Sequence, residues 1–324
     1  MSDPASERPL VSVIVPAFRA ENSIGRTLDS IARQTYAPLE VVVVDDCSPD
    51  RTADIAAAWT KCALTVVRHP ENRGPGAARN TGIRAASGEF VAFLDADDEW
   101  LETKIEKQIA ALAAAEAPPG AAAGDIALVS CDGVWFSPEG AEIGTVYEGT
   151  PPVQGPDAWK TMLAYSFVST PCVLARRRQV IDVGLFDENL LIAQDQDMWI
   201  RLAMAGGVLA MPDKLVRIHT SADSHIQKNS LRELEYLWPM IRRHMAARRG
   251  DLTARDRRFI VGRRLLAIGA NLAARGRPRA ALRPLFTALF RGRRPRALWV
   301  LLLMLPPAQW ALALRRALLR RERR

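Results

Sequence analysis

The chain has 324 residues, 48% hydrophobic and 25% charged, which is enough to bury a sizeable core as one large domain or two ordinary ones. Its net charge of +8 hides an asymmetry: Arg242 to Arg324 hold 23 Arg, no Lys and 3 acidic residues, a net +20 that leaves −12 for the rest. An acidic body thus adjoins a basic tail suited to an anionic partner, either nucleic acid or a membrane surface.

The first hundred residues alternate strand and helix signals. Leu10–Val15 is apolar and β-branched, a strand expected to stop at Pro16, and Asn22 or Ser23 can cap a helix to about Arg33. The run EVVVV, Glu40–Val44, predicts a strand buried on both faces that ends in Asp45-Asp46. Asp50 or Thr52 can open a second helix, Leu64–Val67 is a short third strand, and a third helix covers about Pro75–Ala86. Phe90–Leu94 is a fourth strand, ending in Asp95-Ala96-Asp97-Asp98. This alternation predicts a mostly parallel sheet flanked by helices, with ligands beyond the carboxyl ends of the strands, where both acidic clusters fall.

Farther on, a helix is expected from Trp100 to about Ala115, then a loop, APPGAAAG. Ile126–Phe136, Ile143–Tyr147 and Leu215–Ile218 read as strands, and Asp157–Leu163 and Asp195–Ala205 as helices. No internal repeat is visible. From about residue 231 the pattern turns helical, Arg-rich and Ala/Leu-rich, so the expected domains are 1–230 and 231–324.

Asp95-x-Asp97 follows a strand directly, and the x-spaced pair puts both carboxylates on one side of an extended segment. Hard divalent cations prefer such oxygen ligands and bridge them to phosphates, so Mg²⁺ or Mn²⁺ fits there. The plainer alternative is a solvated turn that caps the helix at Trp100. Asp45-Asp46 can accept hydrogen bonds from a base N–H or ribose hydroxyls, or else belong to a turn capped by Ser48 or Asp50. Arg73-Gly74-Pro75-Gly76-Ala77-Ala78-Arg79 invites comparison with G-x-G-x-x-G but has Arg79 at the third glycine and follows the wrong strand, which speaks against a Rossmann dehydrogenase. Its glycines instead shape a turn before a helix whose N-terminus can face phosphate. In Gln194-Asp195-Gln196-Asp197-Met198-Trp199, Asp195 stands at a helix start, placed either as a proton acceptor or as a plain cap, with Asp197 a first-turn or surface charge.

Taken together, the segments VSVIVPAFRAENSI, LDSIARQTY, EVVVVDDCSPDRT, ENRGPGAARNTGIRAASGEFVAFLDADDEW and GLFDENLLIAQDQDMWIRLA resemble the inverting glycosyltransferase family two, over about Val11 to His219. The order and spacing are specific as a set, each motif alone being weak. The resemblance implies a GT-A type α/β fold with a Rossmann-like nucleotide-binding half, followed by the basic helical C-terminal region. It implies that Pro16, Ala17, Phe18 and Glu21 line the nucleotide pocket, that Asp46 contacts the base, usually uracil, and that Arg79 lies near the diphosphate. Asp95 and Asp97 match the D-x-D metal site, with Asp97 the closer ligand, and His219 matches a position near the diphosphate or metal. Asp195 matches the general base of the family's E-D motif, in which Gln194 here replaces the frequent Glu. The implied reaction moves a sugar from a nucleotide sugar, a UDP-sugar by resemblance, to a glycan or lipid-linked acceptor hydroxyl in one inverting displacement, with Mg²⁺ or Mn²⁺ as cofactor.

In the tail, Ala297–Leu314 approaches the length of a membrane span, but Pro306-Pro307 breaks it and Arg clusters flank both sides. The expected reading is an interfacial helix pair on an anionic membrane surface; the alternative is packing of Trp299 and Leu301–Leu305 on the catalytic domain. No reading helix or aromatic platform for nucleic acid is apparent, so none is expected as partner. Cys47, Cys62, Cys131 and Cys172 form no C-x-x-C pair, and the start MSDPASERPL has no apolar run behind a basic region. Both predict a cytoplasmic protein, and the tail adds a peripheral place on the membrane's cytoplasmic face. Two competing functions remain: a non-catalytic nucleotide-sugar binding or scaffold protein on the same fold, and a nucleotidyltransferase. The latter would want a glycine-rich loop after the first strand, where PAFRAENS has no glycine run.

Overall fold

The computed structural model describes residues 8–116, 126–220 and 234–304, so the APPGAAAG loop and the chain beyond Met304 lie outside the described residues. Two compact units emerge, residues 1–162 with 166–224 and residues 163–165 with 225–324.

The first unit is built on one nine-stranded sheet. Its parallel half comprises β1 (Val11–Ala17), β2 (Leu39–Asp45), β3 (Leu64–Arg68) and β4 (Phe90–Phe93), in the order β3-β2-β1-β4. Val41, Val42, Val43 and Val44 of β2 are all buried, as a strand covered on both faces requires. β1 runs through Pro16 rather than stopping before it. Pairing with β4 ends at Ile14, whereas pairing with β2 continues to Ala17, so the missing N–H of Pro16 breaks no bond on the β4 side. The helices α1 (Ile24–Ala32), α2 (Thr52–Ala58) and α3 (Gly74–Ala85) connect these strands. α1 buries Ile24, Thr27, Leu28 and Ile31, the i, i+3, i+4, i+7 stripe of a helix lying on a sheet.

α3 lies close to the sheet because Gly82 has no side chain: a Cβ there would sit 2.5 Å from Ile14 Cγ2 and 3.4 Å from Val44 Cγ2. Gly82→Ala is expected to lower stability by about 1–3 kcal/mol through overpacking, read as a lower urea midpoint. An unchanged midpoint would mean that α3 can lift off the sheet without cost.

Beyond β4 the sheet reverses. β5 is the two-residue strand Glu99–Trp100, α4 is Lys104–Glu116, β6 is Ile126–Phe136, β7 is Glu142–Thr145 and α5 is Ala158–Ala164. They are followed by β8 (Val173–Arg176), α6 (Arg177–Asp182), α7 (Gln194–Ala205) and β9 (Gly207–His219). β8 inserts antiparallel between β4 and β6, and β6 pairs β9 in parallel. Three expectations change here. Trp100 does not open a helix; it pairs with Val216 of β9 in β5, and its buried indole Nε1 donates to Pro171 O at 2.9 Å. The last strand is 13 residues long, not four, because it pairs with β6 from Gly207 to His219, while β5 pairs its Val216 and Arg217. β8 and α6 were not anticipated; VLAR is too short to show a period.

The second unit is helical: α8 (Leu237–Ala247), α9 (Ala254–Ala274), α10 (Pro278–Phe290) and α11 (Arg296–Leu303). Thr253 and Asp256 form a capping box at the start of α9. A Cβ on Gly269 would sit 2.6 Å from Leu285 Cγ, so glycine lets α10 approach α9 closely.

Candidate active site

The carboxyl edge of the parallel half collects the acidic motifs. The loop after β1 is clamped to the loop after β2: Arg19 N donates to Ser48 Oγ (3.1 Å), Ala20 N to Thr52 Oγ1 (2.8 Å) and Glu21 N to Asp50 Oδ2 (3.3 Å), while Arg51 N donates to Glu21 Oε2 (3.2 Å). Pro16 and Ala17 end β1 below this loop, and Phe18 stands 38% exposed with the Arg19 guanidinium 5.1 Å from its ring centre. Asp50 also accepts from Thr52 N at 3.1 Å, but the cap position of α2 is held by Arg51, so neither Asp50 nor Ser48 is its cap.

Asp46 is buried, and its carboxylate is heavily engaged. His69 Nδ1 lies 2.7 Å from Oδ1, Arg73 N donates to Oδ1 at 2.9 Å and Gly74 N donates to Oδ2 at 2.7 Å. These bonds fix the entry to α3, so in this geometry Asp46 acts first on the loop that opens that helix. His69, which the sequence did not single out, ties Asp46 onward to Thr81 Oγ1 at 2.9 Å.

Three charged groups converge where α3, β4 and α7 meet. Arg79 is buried, and its Nη2 donates to Asp95 Oδ1 at 2.7 Å; its guanidinium lies 5.6 Å from the ring centre of Phe186. Its Nε and Nη1 are buried with no hydrogen-bond partner. Two orphaned N–H groups on one buried cation are costly unless a ligand accepts from them. Asp195 is the second residue of α7, after Ala193 in the left-handed region (φ 62°), so it is not the helix cap. Surrounding protein pushes the Asp195 carboxyl above the ordinary carboxylate range, against the opposing pull of the Arg79 guanidinium. The start of α7 also meets α3: a Cβ on Gly76 would lie 3.5 Å from Gln194 Cγ.

Asp97 opens to solvent on one side while protein closes around the others, and that enclosure, with the nearby charge of Asp95, pushes its pKa up to about 6. Asp98 does not cap a helix; it is buried and accepts from His219 N at 2.9 Å. Thr27 Oγ1, within hydrogen-bonding distance of Ala96 O (2.9 Å) and Asp98 O (2.8 Å), and Arg26 Nη2, donating to Asp97 O, hold the backbone of this segment. Nothing in the segment Ile24-Gly25-Arg26-Thr27 signalled that role.

Asp95 and Asp97 suit a hard divalent cation, which often takes one or two carboxylates and completes its shell with phosphate and water. His219 closes β9 beside the acidic segment. Its Nε2 lies 3.0 Å from Glu99 Oε1, its ring stacks on Phe136, and among the described residues no group of three His, Cys, Asp or Glu is poised around one metal position. Of the two readings of Asp197, the first-turn charge holds and the surface charge does not: it lies in the first turn of α7, fully buried and bound by Arg201 Nε and Nη2, both at 2.7 Å.

Residues 12–167 match the family model described as Glycosyl transferase family 2. This segment is a family 2 glycosyltransferase domain. The UDP-Glc:alpha-D-GlcNAc-diphosphoundecaprenol beta-1,3-glucosyltransferase WfgD of Escherichia coli is 40% identical to this chain over 100 residues, 31% of this chain and 40% of that protein. Such matches span about two fifths of the curated relatives' own length. The structure of residues 1–349 of S. aureus TarS in complex with UDP-GlcNAc aligns with a TM-score of 0.54 at 22% identity, over 87% of this chain and 88% of that one. Mannosyltransferase PcManGT from Pyrobaculum calidifontis, in complex with GDP-Man and Mn²⁺, aligns with a TM-score of 0.53 at 22% identity, over 88% of each chain. These likenesses show the GT-A fold, and in the first unit Asp95, Arg79 and Asp195 gather at the carboxyl edge of the parallel strands.

Proposed function

We propose that this chain transfers a sugar from a UDP-sugar to a hydroxyl of a glycan or lipid-linked acceptor, with inversion, in cell-surface polysaccharide synthesis. The observation that carries the reading is Arg79: a buried guanidinium with two orphaned N–H groups, held by Asp95 and acting electrostatically on Asp195. Such a group donates hydrogen bonds to the oxygens of a diphosphate. The name of WfgD, which joins a UDP-Glc donor to a diphosphoundecaprenol-linked acceptor, supports the donor and acceptor classes.

In this reading Phe18 and the clamped loop around Glu21 receive the nucleotide, with Asp46 setting the loop beside it. Asp195 accepts the proton of the acceptor hydroxyl as its oxygen bonds to the anomeric carbon. The bond from that carbon to the diphosphate breaks, and the nucleoside diphosphate leaves with the electron pair. Asp95 and Asp97 would hold Mg²⁺ or Mn²⁺, which supplies charge neutralisation of the diphosphate; the Mn²⁺ in PcManGT supports a metal at such a site. His219, engaged with Glu99, shapes the segment rather than ligating in this reading. Among the described residues no helix is long and apolar enough to cross a membrane; peripheral attachment to a membrane's cytoplasmic face is supported by the lipid-linked acceptor in the name of WfgD.

Calorimetry with UDP, and with GDP and CDP as controls, tests the donor site. UDP is expected to bind the folded chain and to bind more tightly with Mn²⁺. Asp97→Asn should remove most of the Mn²⁺ enhancement without lowering thermal stability in metal-free buffer, because an enclosed carboxylate beside Asp95 is unfavourable in its charged form. Unchanged Mn²⁺ enhancement in the variant would sink the metal assignment. No binding of any nucleoside diphosphate would favour the scaffold alternative.

A further inference from the structure

α10 turns large apolar side chains away from its own unit. Its inner face, Ala281, Pro284, Leu285 and Ala288, is buried. On the outer face Leu282, Phe286 and Phe290 follow each other at i, i+4 and i+8, exposed by 42%, 48% and 71%. Phe286 and Phe290 stack with ring centres 6.1 Å apart and planes 2° from parallel, so they form one ridge. Arg279 and Arg283 are exposed on the same side of the helix, and Arg291 is exposed at its end. After a short turn, Leu298 and Trp299 of α11 are exposed as well, Trp299 by 59%. Residues 257–304 hold twelve Arg and no Asp, Glu or Lys.

An apolar ridge flanked only by cations fits a surface that is anionic outside and hydrocarbon within. Nucleic acid would satisfy the arginines but leave Leu282 and the mutually stacked rings without a comparable apolar partner. A second copy of this unit would bring arginine against arginine. We propose that the outer face of α10 is a membrane-docking surface: Leu282, Phe286 and Phe290 enter the acyl boundary of an anionic phospholipid leaflet, and Arg279, Arg283 and Arg291 hold lipid phosphates. This deepens the reading of the chain as peripheral to a membrane and rests on it, but vesicle binding requires neither nucleotide nor catalysis.

The test is flotation of the full chain with vesicles of phosphatidylglycerol and phosphatidylcholine against phosphatidylcholine alone. The wild type should bind the anionic vesicles and leave the neutral ones. The double variant Phe286→Ser, Phe290→Ser should lose about tenfold or more in partitioning, since two buried aromatic side chains are removed from the acyl boundary. Arg279→Gln with Arg283→Gln should weaken binding and flatten its salt dependence. Unchanged UDP binding and melting temperature in both variants would show that the fold is intact. Wild-type chain that ignores anionic vesicles, or serine variants that bind them as well as wild type, would overturn the proposal. So would serine variants that convert a dimer to a monomer or lose RNA binding without any vesicle binding to lose. Vesicle binding in a chain that binds no nucleotide would leave this inference standing and sink the transferase reading.

Discussion

Asp195→Asn is expected to slow sugar transfer by about 10²-fold or more while leaving UDP binding with Mn²⁺ in place. The side chain keeps its shape, and Gln196 N, which donates to Asp195 Oδ1 at 2.8 Å, keeps an oxygen acceptor there. What disappears is basicity. Burial raises the Asp195 pKa, which brings the carboxylate nearer the range in which a base accepts a proton effectively, while Arg79 still favours its ionised form. Gln194, neutral where the related motif often has Glu, adds no like charge beside it. The measurement pairs single-turnover rates with calorimetric binding. A normal rate in the variant would refute the base assignment, and a parallel loss of rate and binding would point to a structural role.

Two residues along the same helix, Asp197→Ala is expected to cost about 3–5 kcal/mol of stability, read as a lower urea midpoint. Asp197 is fully buried, and its partner Arg201 also donates to Val183 O at 2.6 Å and Leu185 O at 2.7 Å. That fork holds a turn in which Leu185 sits at φ 62°, a conformation unfavourable for a bulky residue by about 1–2 kcal/mol. Without Asp197 the guanidinium loses its counter-charge in a largely enclosed place, and the turn loses its anchor. Arg201→Lys should lose much of the same stability, because an ammonium cannot reach the carboxylate and two carbonyls in one plane. Set against a typical total of about 5–15 kcal/mol, the loss is large. A midpoint within experimental error of wild type would show that the pair is dispensable. The contrast with Asp195→Asn is diagnostic: one aspartate should change the rate and its neighbour the fold.

That contrast was only half legible in QDQDMW. The spacing put both aspartates on one short stretch, and the resemblance chose Asp195, but periodicity offered no way to see that Asp197 turns inward. Burial of a charge depends on a partner, and Arg201 becomes that partner only once the helix exists. EVVVV, by contrast, identified β2 from composition alone, since a run of β-branched residues has few other stable uses. The ends of β2 and β4 likewise placed Asp45-Asp46 and Asp95-Ala96-Asp97 at the ligand edge, because parallel strands joined by helices leave only that edge open.

Other features had no local signature. Trp100 followed an acidic cluster like the first residue of a helix, yet it pairs with Val216 from more than a hundred residues away. The contacts of His219 with Glu99 and Phe136 join three separate strands that no local pattern linked. The orphaned N–H groups of Arg79 and the outward ridge of α10 exist only after neighbouring elements have packed. The sequence by itself determined the alternation of strands and helices, the acidic body and the basic tail, because these follow from local preference and composition. The tertiary structure alone decided which charges are paired, which are left open and which apolar face remains uncovered, because each depends on groups far apart in the chain meeting at one place.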